Sequence, residues 1–524
     1  MKPCLPEGWQ ESIASRARFI LDASGNNSEG EKNWFNLVQE ISSNKNGLYY
    51  TWLAVTGCYP DKFEFQEFVS EEKIYGLSHS VQNLLEKRSK EAETANYLGA
   101  IELFNPRYNH VVDVTHTYVN PFLTGIQRVV FGITDGAESI STCIWVGEAG
   151  IIREQDIRKM GVAEETLNVL SWRIRLVHFL HAQVPKFEKS QFGTRFRNIL
   201  LPLARRIKHL LIAKDDSKQL AVFGDEKLSN LLILNSVITI PEITATLRHV
   251  YLYECILENE IVPVQIILYD FIPFFHAWTV HLQNRAQLSS YIRLVFLSSR
   301  IVSISSLVHE QAKLITQAFK LERPEWSSRA QEFSYLPLPS GLKPSFSGEF
   351  QKQKNLVVMA GSLEPRKNHM QFLSAVELLE KDGLRVKARI LGSAGWENEH
   401  ILKKIHNLQK IGIDVERIGN ISDSEMRKLI AESQLLLQIS EAEGFGLPIA
   451  EALALGTKVV VSNIRPLNEW KDDRVSVVQL GDIEQLKNKI SYVLRNPESE
   501  GQFSTQEITW DDWQRLLFRE KTTL

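Results

Sequence analysis

Short runs rich in aliphatic residues recur after residue 350: Leu356–Ala360, Val386–Leu391, Val415–Ile418, Leu435–Ile439, Val459–Val461 and Val475–Val478. Helical patterns lie between most of them. Strands buried on both faces, alternating with helices, form a parallel sheet covered on both sides. That repeat predicts an α/β fold. It also says where to look for chemistry, because such sheets bind ligands beyond the carboxyl ends of their strands.

An earlier series repeats the pattern: His110–Val114, Cys143–Val146, Leu220–Phe223, Leu231–Leu234, Val264–Leu268 and Ile301–Ile304. Between the two series lies Tyr335–Phe350, YLPLPSGLKPSFSGEF, rich in Pro, Gly and Ser and the best domain boundary in the chain. A chain of 524 residues has room for two or three domains. The expected division is a helical extension over 1–105, a first α/β domain over 106–345, a second over 350–500 and a closing helix over 501–524. In the extension, Trp34–Ile41 and Val81–Leu85 carry apolar residues at helical spacing. No catalytic constellation appears there. A helical appendage is the plain reading, and a partner-docking module is the sharper one.

Composition excludes some classes. The formal net charge of −3 gives no global pointer to nucleic acid. Cys4, Cys58, Cys143 and Cys255 are scattered, with no paired spacing, which argues for a reducing compartment and against structural zinc. The opening MKPCLPEGWQES lacks the apolar core of a secretory leader, and no apolar run approaches a membrane span. The expectation is a cytoplasmic protein. Residues 172–214 form an unusual insert, with ten Lys or Arg, one acid (Glu188) and interleaved apolar residues. A basic amphipathic helix of this kind suits peripheral contact with an anionic membrane, at the inner face of the plasma membrane. Other readings are an anionic acceptor, a solvated basic face over an apolar core, or nucleic acid, for which no recognised motif is present.

The stretch Ser440–Asn463, SEAEGFGLPIAEALALGTKVVVSN, follows a strand and holds a glycine turn, a helix and the next strand. Pro448 stands at the expected first helical position, and Gly456 stops the helix. Glu443 on the turn and Glu451 inside the helix have seven residues between them. A helix N-terminus suits a phosphate, while carboxylates beside it suit sugar hydroxyls. Spacing alone also fits an ordinary strand–helix unit with two solvated glutamates.

The stretch resembles the E-x7-E signature of the retaining, nucleotide-sugar-dependent glycosyltransferases of family 4, which have the GT-B fold: two Rossmann-like domains facing a cleft. Val357–Asn368, VVMAGSLEPRKN, resembles the strand and basic loop that open the donor domain of that family. The likeness runs from about Asn109 to the C-terminus and is strongest after Asn355. TGIQR, containing Thr124 and Gly125, resembles the glycine loop of the first domain. LYDFIPFFH, 268–276, resembles a segment in which a His–Asp pair precedes a proline; here Tyr269 stands at the histidine position, while Asp270 and His276 fit. Many relatives carry arginine after the glycine of the basic loop, where this chain has Ser362.

The resemblance implies roles. Arg366 and Lys367 would hold the diphosphate, Glu451 the ribose hydroxyls, and Glu443 the donor sugar or the charge at its reacting carbon. Gly125, Phe445, Gly446, Leu447 and Asp270 would complete the donor site, with Tyr269, His276 and His116 as further candidates. It implies no metal and no cofactor. The chain shows no DxD pair; Asp215–Asp216 and Asp472–Asp473 read as surface loop residues. Donor and acceptor would be a nucleotide-diphosphate sugar and a glycan or lipid-linked glycan. TGIQR and LEPRKN look most like mannosyl- and related transferases of O-antigen and capsule assembly, with a GDP-sugar donor preferred. The alternative is a degenerate member that binds nucleotide sugar or glycan as a scaffold.

Overall fold

The computed structural model describes residues 8–24, 32–92, 101–103, 110–115, 117, 125–137, 140–146, 150–153, 230–234, 236–242, 247–281, 291–323, 329–339, 350–419, 421–496 and 508–518. The basic insert over 172–214, the predicted strand at 220–223, Thr124, His116, Asp215–Asp216 and most of the predicted boundary lie outside these residues. The chain divides into two compact units: one of Met1–Pro121 with Glu138–Val264, the other of Phe122–Ala137 with Gln265–Leu524.

The first unit opens with five helices, α1 (Trp9–Ala23), α2 (Trp34–Ser42), α3 (Gly47–Thr56), α4 (Lys62–Tyr75) and α5 (Leu77–Ala92). Their core is aromatic: Tyr49 meets Phe65 edge-on at 5.2 Å and Trp52 meets Phe68 at 5.6 Å. Arg16 is buried in it because its guanidinium takes over the orphan carbonyls at the end of α3, Ala54 O at 2.6 Å and Val55 O at 3.0 Å. The helical segment shares its unit with strands β1 (Ile101–Leu103), β2 (His110–Asp113), β3 (Ile140–Val146), β4 (Gly150–Arg153), β5 (Asn230–Leu232) and β6 (Val237–Ile240). β1 pairs with β5, and β2 lies between β3 and β6, all parallel; β4 runs antiparallel to β3. Tyr59 ties helices to strands by accepting from Ile233 N at 2.7 Å. Lys62 pairs with Glu258 on helix Leu247–Glu258 at 2.8 Å.

The second unit begins with α6 (Gly125–Thr134), followed by β7 (Val264–Leu268), β8 (Arg300–Ser303), α7 (Ser306–Glu322) and β9 (Glu332–Tyr335). β7, β8 and β9 pair in parallel in that order. Then come β10 (Leu356–Ala360), α8 (His369–Lys381), β11 (Lys387–Leu391), α9 (Glu399–Lys410), β12 (Val415–Ile418), α10 (Asp423–Glu432), β13 (Leu435–Gln438), α11 (Leu447–Ala454), β14 (Lys458–Ser462), β15 (Val475–Val478), α12 (Ile483–Arg495) and α13 (Trp510–Leu517). The six apolar runs after residue 350 are the six strands of one all-parallel sheet, ordered β12-β11-β10-β13-β14-β15.

Side chains alternate across that sheet and both faces are dry. Val357, Met359, Leu435 and Leu437 pack under α8, α9 and α12. Leu356, Val358, Ala360 and Leu436 pack the other way with Ile449 and Leu453 of α11. Counted from its first strand the order is three-two-one-four-five-six, the doubly wound order of dinucleotide-binding folds. The order reverses between β10 and β13, where ligands of such sheets bind.

Candidate active site

At that switch point Val357, Val358 and Met359 stand opposite Leu435, Leu436 and Leu437, so β10 and β13 end level with each other. The loop after β10 runs Gly361 to Asn368, and the turn after β13 runs Ile439 to Gly446. Gly361 has φ +133, a conformation side chains rarely adopt. A Cβ there would lie 3.3 Å from Lys367 Cε, so the lysine stem crosses bare backbone. A 3-10 turn, Pro365–Lys367, aims both cations, and Asn368 in the left-handed region starts α8. Asn368 Nδ2 also donates to Ile439 O at 3.0 Å and Glu441 N to Arg366 O at 2.7 Å, which ties loop to turn.

Glu443 is the hub. Its Oε1 accepts from Lys367 Nζ, from Gln438 Nε2 at 2.6 Å and from Ser440 Oγ at 2.6 Å. Its Oε2 lies 3.5 Å from Arg366 Nη1. Arg366 also reaches Glu364 at 3.0 Å and Ala442 O at 3.1 Å. Burial alone would raise the Glu443 carboxyl, but the charges of Lys367 and Arg366 outweigh it and hold the group at about 2. The result is a fixed carboxylate carrying two cations, aimed from the ends of two adjacent strands.

Asp270 belongs to the same cluster. It accepts from Ile272 N at 2.9 Å and lies in the field of Arg366, Glu443 and Lys367, with burial raising its carboxyl. Gly444 sits on the backbone of this segment: a Cβ on it would collide with Tyr269 O and lie 3.2 Å from Asp270 Cβ. Ile272 and Val280 close a small apolar contact with Ala442. His276 stacks edge-on against Trp278 at 5.3 Å, and Trp278 Nε1 donates to Glu441 at 2.9 Å. Tyr269, Asp270 and the glycine turn are thus one piece of structure.

α11 begins at Leu447, with Gly446 as its left-handed N-cap and Pro448 one residue later than the sequence suggests. The proline still lies in the first turn, where its missing N–H leaves no bond unmade. Phe445 packs edge-on against Trp470 at 5.3 Å. Glu451, in the middle of α11, is fully buried. Its Oε1 accepts from Arg128 Nη1 at 2.8 Å, and Arg427 Nε lies 3.9 Å away. Arg128 Nη2 binds Asp423 at 2.6 Å. Gly125 is the first residue of α6, the helix that carries Arg128.

Arg128 lies inside TGIQR, where the sequence assigns it no role, and neither Gln438 nor Ser440 is marked there as a site residue. The last two were visible as polar residues interrupting an apolar strand. Asp472 differs from the open surface residue expected: it is a half-buried loop residue whose side chain pairs with Arg474 at 2.6 Å, and Arg474 also donates to Leu453 O near the end of α11. Glu469, without a role in the sequence, joins Arg465 to Ser306 at the start of α7.

Residues 343–510 match the family described as Glycosyl transferases group 1, and this segment is a domain of that class. The chain is 27% identical over 158 residues to the serotype-specific mannosyltransferase WbdA of Escherichia coli, covering 30% of this chain and 19% of that protein. It is 28% identical over 159 residues to O-antigen chain mannosyltransferase B of Escherichia coli, covering 29% and 42%. A GDP-Man:Man(3)GlcNAc(2)-PP-Dol alpha-1,2-mannosyltransferase of Xenopus laevis is 29% identical over 120 residues, covering 22% and 25%. The chain thus spans about a fifth to two fifths of the length of these relatives. No helix among the described residues is long and apolar enough to cross a membrane.

Proposed function

We propose that the protein is a glycosyltransferase that moves a hexose from a nucleotide-diphosphate sugar to a glycan or lipid-linked glycan, with retention and without a metal. The observation that carries this reading is the Lys367–Glu443–Arg366 cluster at the switch point of a doubly wound sheet. Departure of a nucleoside diphosphate builds negative charge on the leaving group and positive character on the anomeric carbon. Preorganised charges at both places are the largest catalytic aid a protein can offer. Arg366 forks onto phosphate oxygens and Lys367 serves as a point charge, so together they do what a metal would. Glu443 keeps both in place before the donor arrives and faces the sugar afterwards. The leaving phosphate itself takes the acceptor proton, so no side chain is needed as base. Glu451 serves the ribose, and Phe445, Gly446, Leu447, Gly125 and Asp270 shape the donor site.

The relatives support a mannose donor carried by GDP and a role in bacterial surface polysaccharide assembly, at the cytoplasmic face of the membrane. The basic insert over 172–214 would supply peripheral contact there. A scaffold that binds nucleotide sugar without turning it over is the second reading, favoured by Tyr269 at the expected histidine position. Turnover separates the two. The full chain is incubated with GDP-mannose, UDP-glucose or dTDP-glucose together with a panel of glycan acceptors, with nucleoside diphosphate release followed and the anomer of the new glycosidic bond read by proton NMR. Release from one donor, abolished in Lys367→Ala, supports the transferase. Binding without release supports the scaffold, and neither binding nor release overturns both.

A further inference from the structure

Arg128 is held by two carboxylates and Glu451 by one oxygen. The fork gives Nη1 to Glu451 Oε1 at 2.8 Å and Nη2 to Asp423 at 2.6 Å. Glu451 Oε2 is buried and accepts no hydrogen bond from the described residues. The Glu451 side chain is 1% exposed and that of Asp423 27%. Three helices meet here: α6 brings Arg128, α10 brings Asp423 and Arg427, and α11 brings Glu451.

We infer that Arg128 is a positioning residue of the nucleotide site, holding one oxygen of Glu451 so that the other is left for the ribose hydroxyls of the nucleotide. This rests on the reading of Glu451 given above. The competing idea is that Arg128 blocks the site and leaves when a nucleotide binds. Magnitudes decide against it. Stripping the partner from a buried charge is a loss that two ribose hydroxyls would do no more than offset, whereas hydroxyls that bind Oε2 with Arg128 still in place make the same bonds without that loss. Arg128 therefore stays on Oε1, and the hydroxyls take Oε2. Burial raises the Glu451 carboxyl, Arg128 and Arg427 oppose that, and Asp423 adds to it. Without Arg128 only Arg427 is left to oppose, and the carboxyl takes up a proton more readily and accepts poorly.

The test measures dissociation constants of GDP, 2′-deoxy-GDP and inorganic pyrophosphate with the full chain. Arg128→Gln should weaken GDP about tenfold, one charge-assisted bond's worth, and leave pyrophosphate unchanged. The loss should deepen as pH is lowered, a profile a purely structural tie between helices would not produce. Arg128→Lys should restore part of the binding. Asp423→Asn, which breaks the same tie from its other end, should cost far less. The wild type should prefer GDP to its 2′-deoxy form, and Arg128→Gln should lose that preference. If Arg128→Gln binds GDP as well as or better than the wild type, or loses pyrophosphate equally, the inference is wrong while the diphosphate reading stands. If the folded wild type binds neither GDP nor UDP, both fall. Should Arg128→Gln fail to fold, Glu451→Gln must show the same loss confined to the ribose, or the inference fails.

Discussion

Gln438, the last residue of β13, donates its side-chain amide to Glu443 Oε1 at 2.6 Å, from five residues back along the chain. Ser440 reaches the same oxygen. The strand that buries the sheet therefore also fixes the carboxylate at its end. Gln438→Leu should leave the fold intact and release one charge-assisted bond, worth about 1.5–3 kcal/mol. The expected signature is a fall in kcat with little change in donor KM, because the group misplaced is the one proposed to face the reacting carbon. A change confined to KM would mean that Glu443 only binds.

Lys367→Met leaves the buried Glu443 with Arg366 as its remaining cation, beside the neutral donors Gln438 and Ser440. Breaking one side of a buried pair costs about 3–5 kcal/mol, and the exposure here, about a tenth of each side chain, keeps it near that range. Urea unfolding should show the loss. Lys367→Met combined with Glu443→Gln should recover most of the stability and none of the nucleotide binding. Additive losses in the double variant would deny the coupling.

Acid should act in two windows. His369 heads α8, buried, and burial and then the Lys367 charge pull its imidazole from 6.5 to about 4. Between those values the unfolded chain takes up a proton that the folded chain refuses, so stability falls as pH falls from 6.5 toward 4. Below 4.5 Glu443, held at about 2, adds its own loss as it is finally protonated. His369→Phe should flatten only the upper window in a urea titration against pH. An unchanged slope there would place the effect elsewhere.

Gly132 in α6 faces the indole of Trp510 on α13, and a Cβ on it would collide with that ring. Gln514 adds a bond to Gly132 O at 2.9 Å, and Arg300 caps the same helix at Leu517 O, 2.8 Å. Glycine to alanine inside a helix usually gains about 1 kcal/mol. Here Gly132→Ala should lower the melting temperature instead, by pushing α13 off the helix that carries Arg128. A higher melting temperature would show that Trp510 can step aside at no cost.

The second sheet was legible in the sequence because its strands are buried on both faces and read as apolar runs; three of the six match their predicted bounds, two differ by one residue and one by a residue at each end. Glu443, Arg366 and Lys367 were legible because each follows a strand within a few residues, so local spacing places them together once the strands are parallel. Arg128 was not. It meets Glu451 across 323 positions of sequence, and nothing local marks an arginine in a helix as the partner of one particular buried glutamate. Asp472 was misread for a related reason. Two adjacent acids look like surface, and only the turn that lays Arg474 across one of them buries its side chain.

The most direct measurement is the melting temperature of the full chain with GDP-mannose, UDP-glucose and dTDP-glucose, in the wild type and in Lys367→Ala. A ligand that binds only the folded state adds about 2.7 kcal/mol at a hundred times its dissociation constant. The account predicts a rise with one donor in the wild type, GDP-mannose foremost, and none in the variant. Equal shifts in both proteins, or no shift with any donor in a folded wild type, would contradict it.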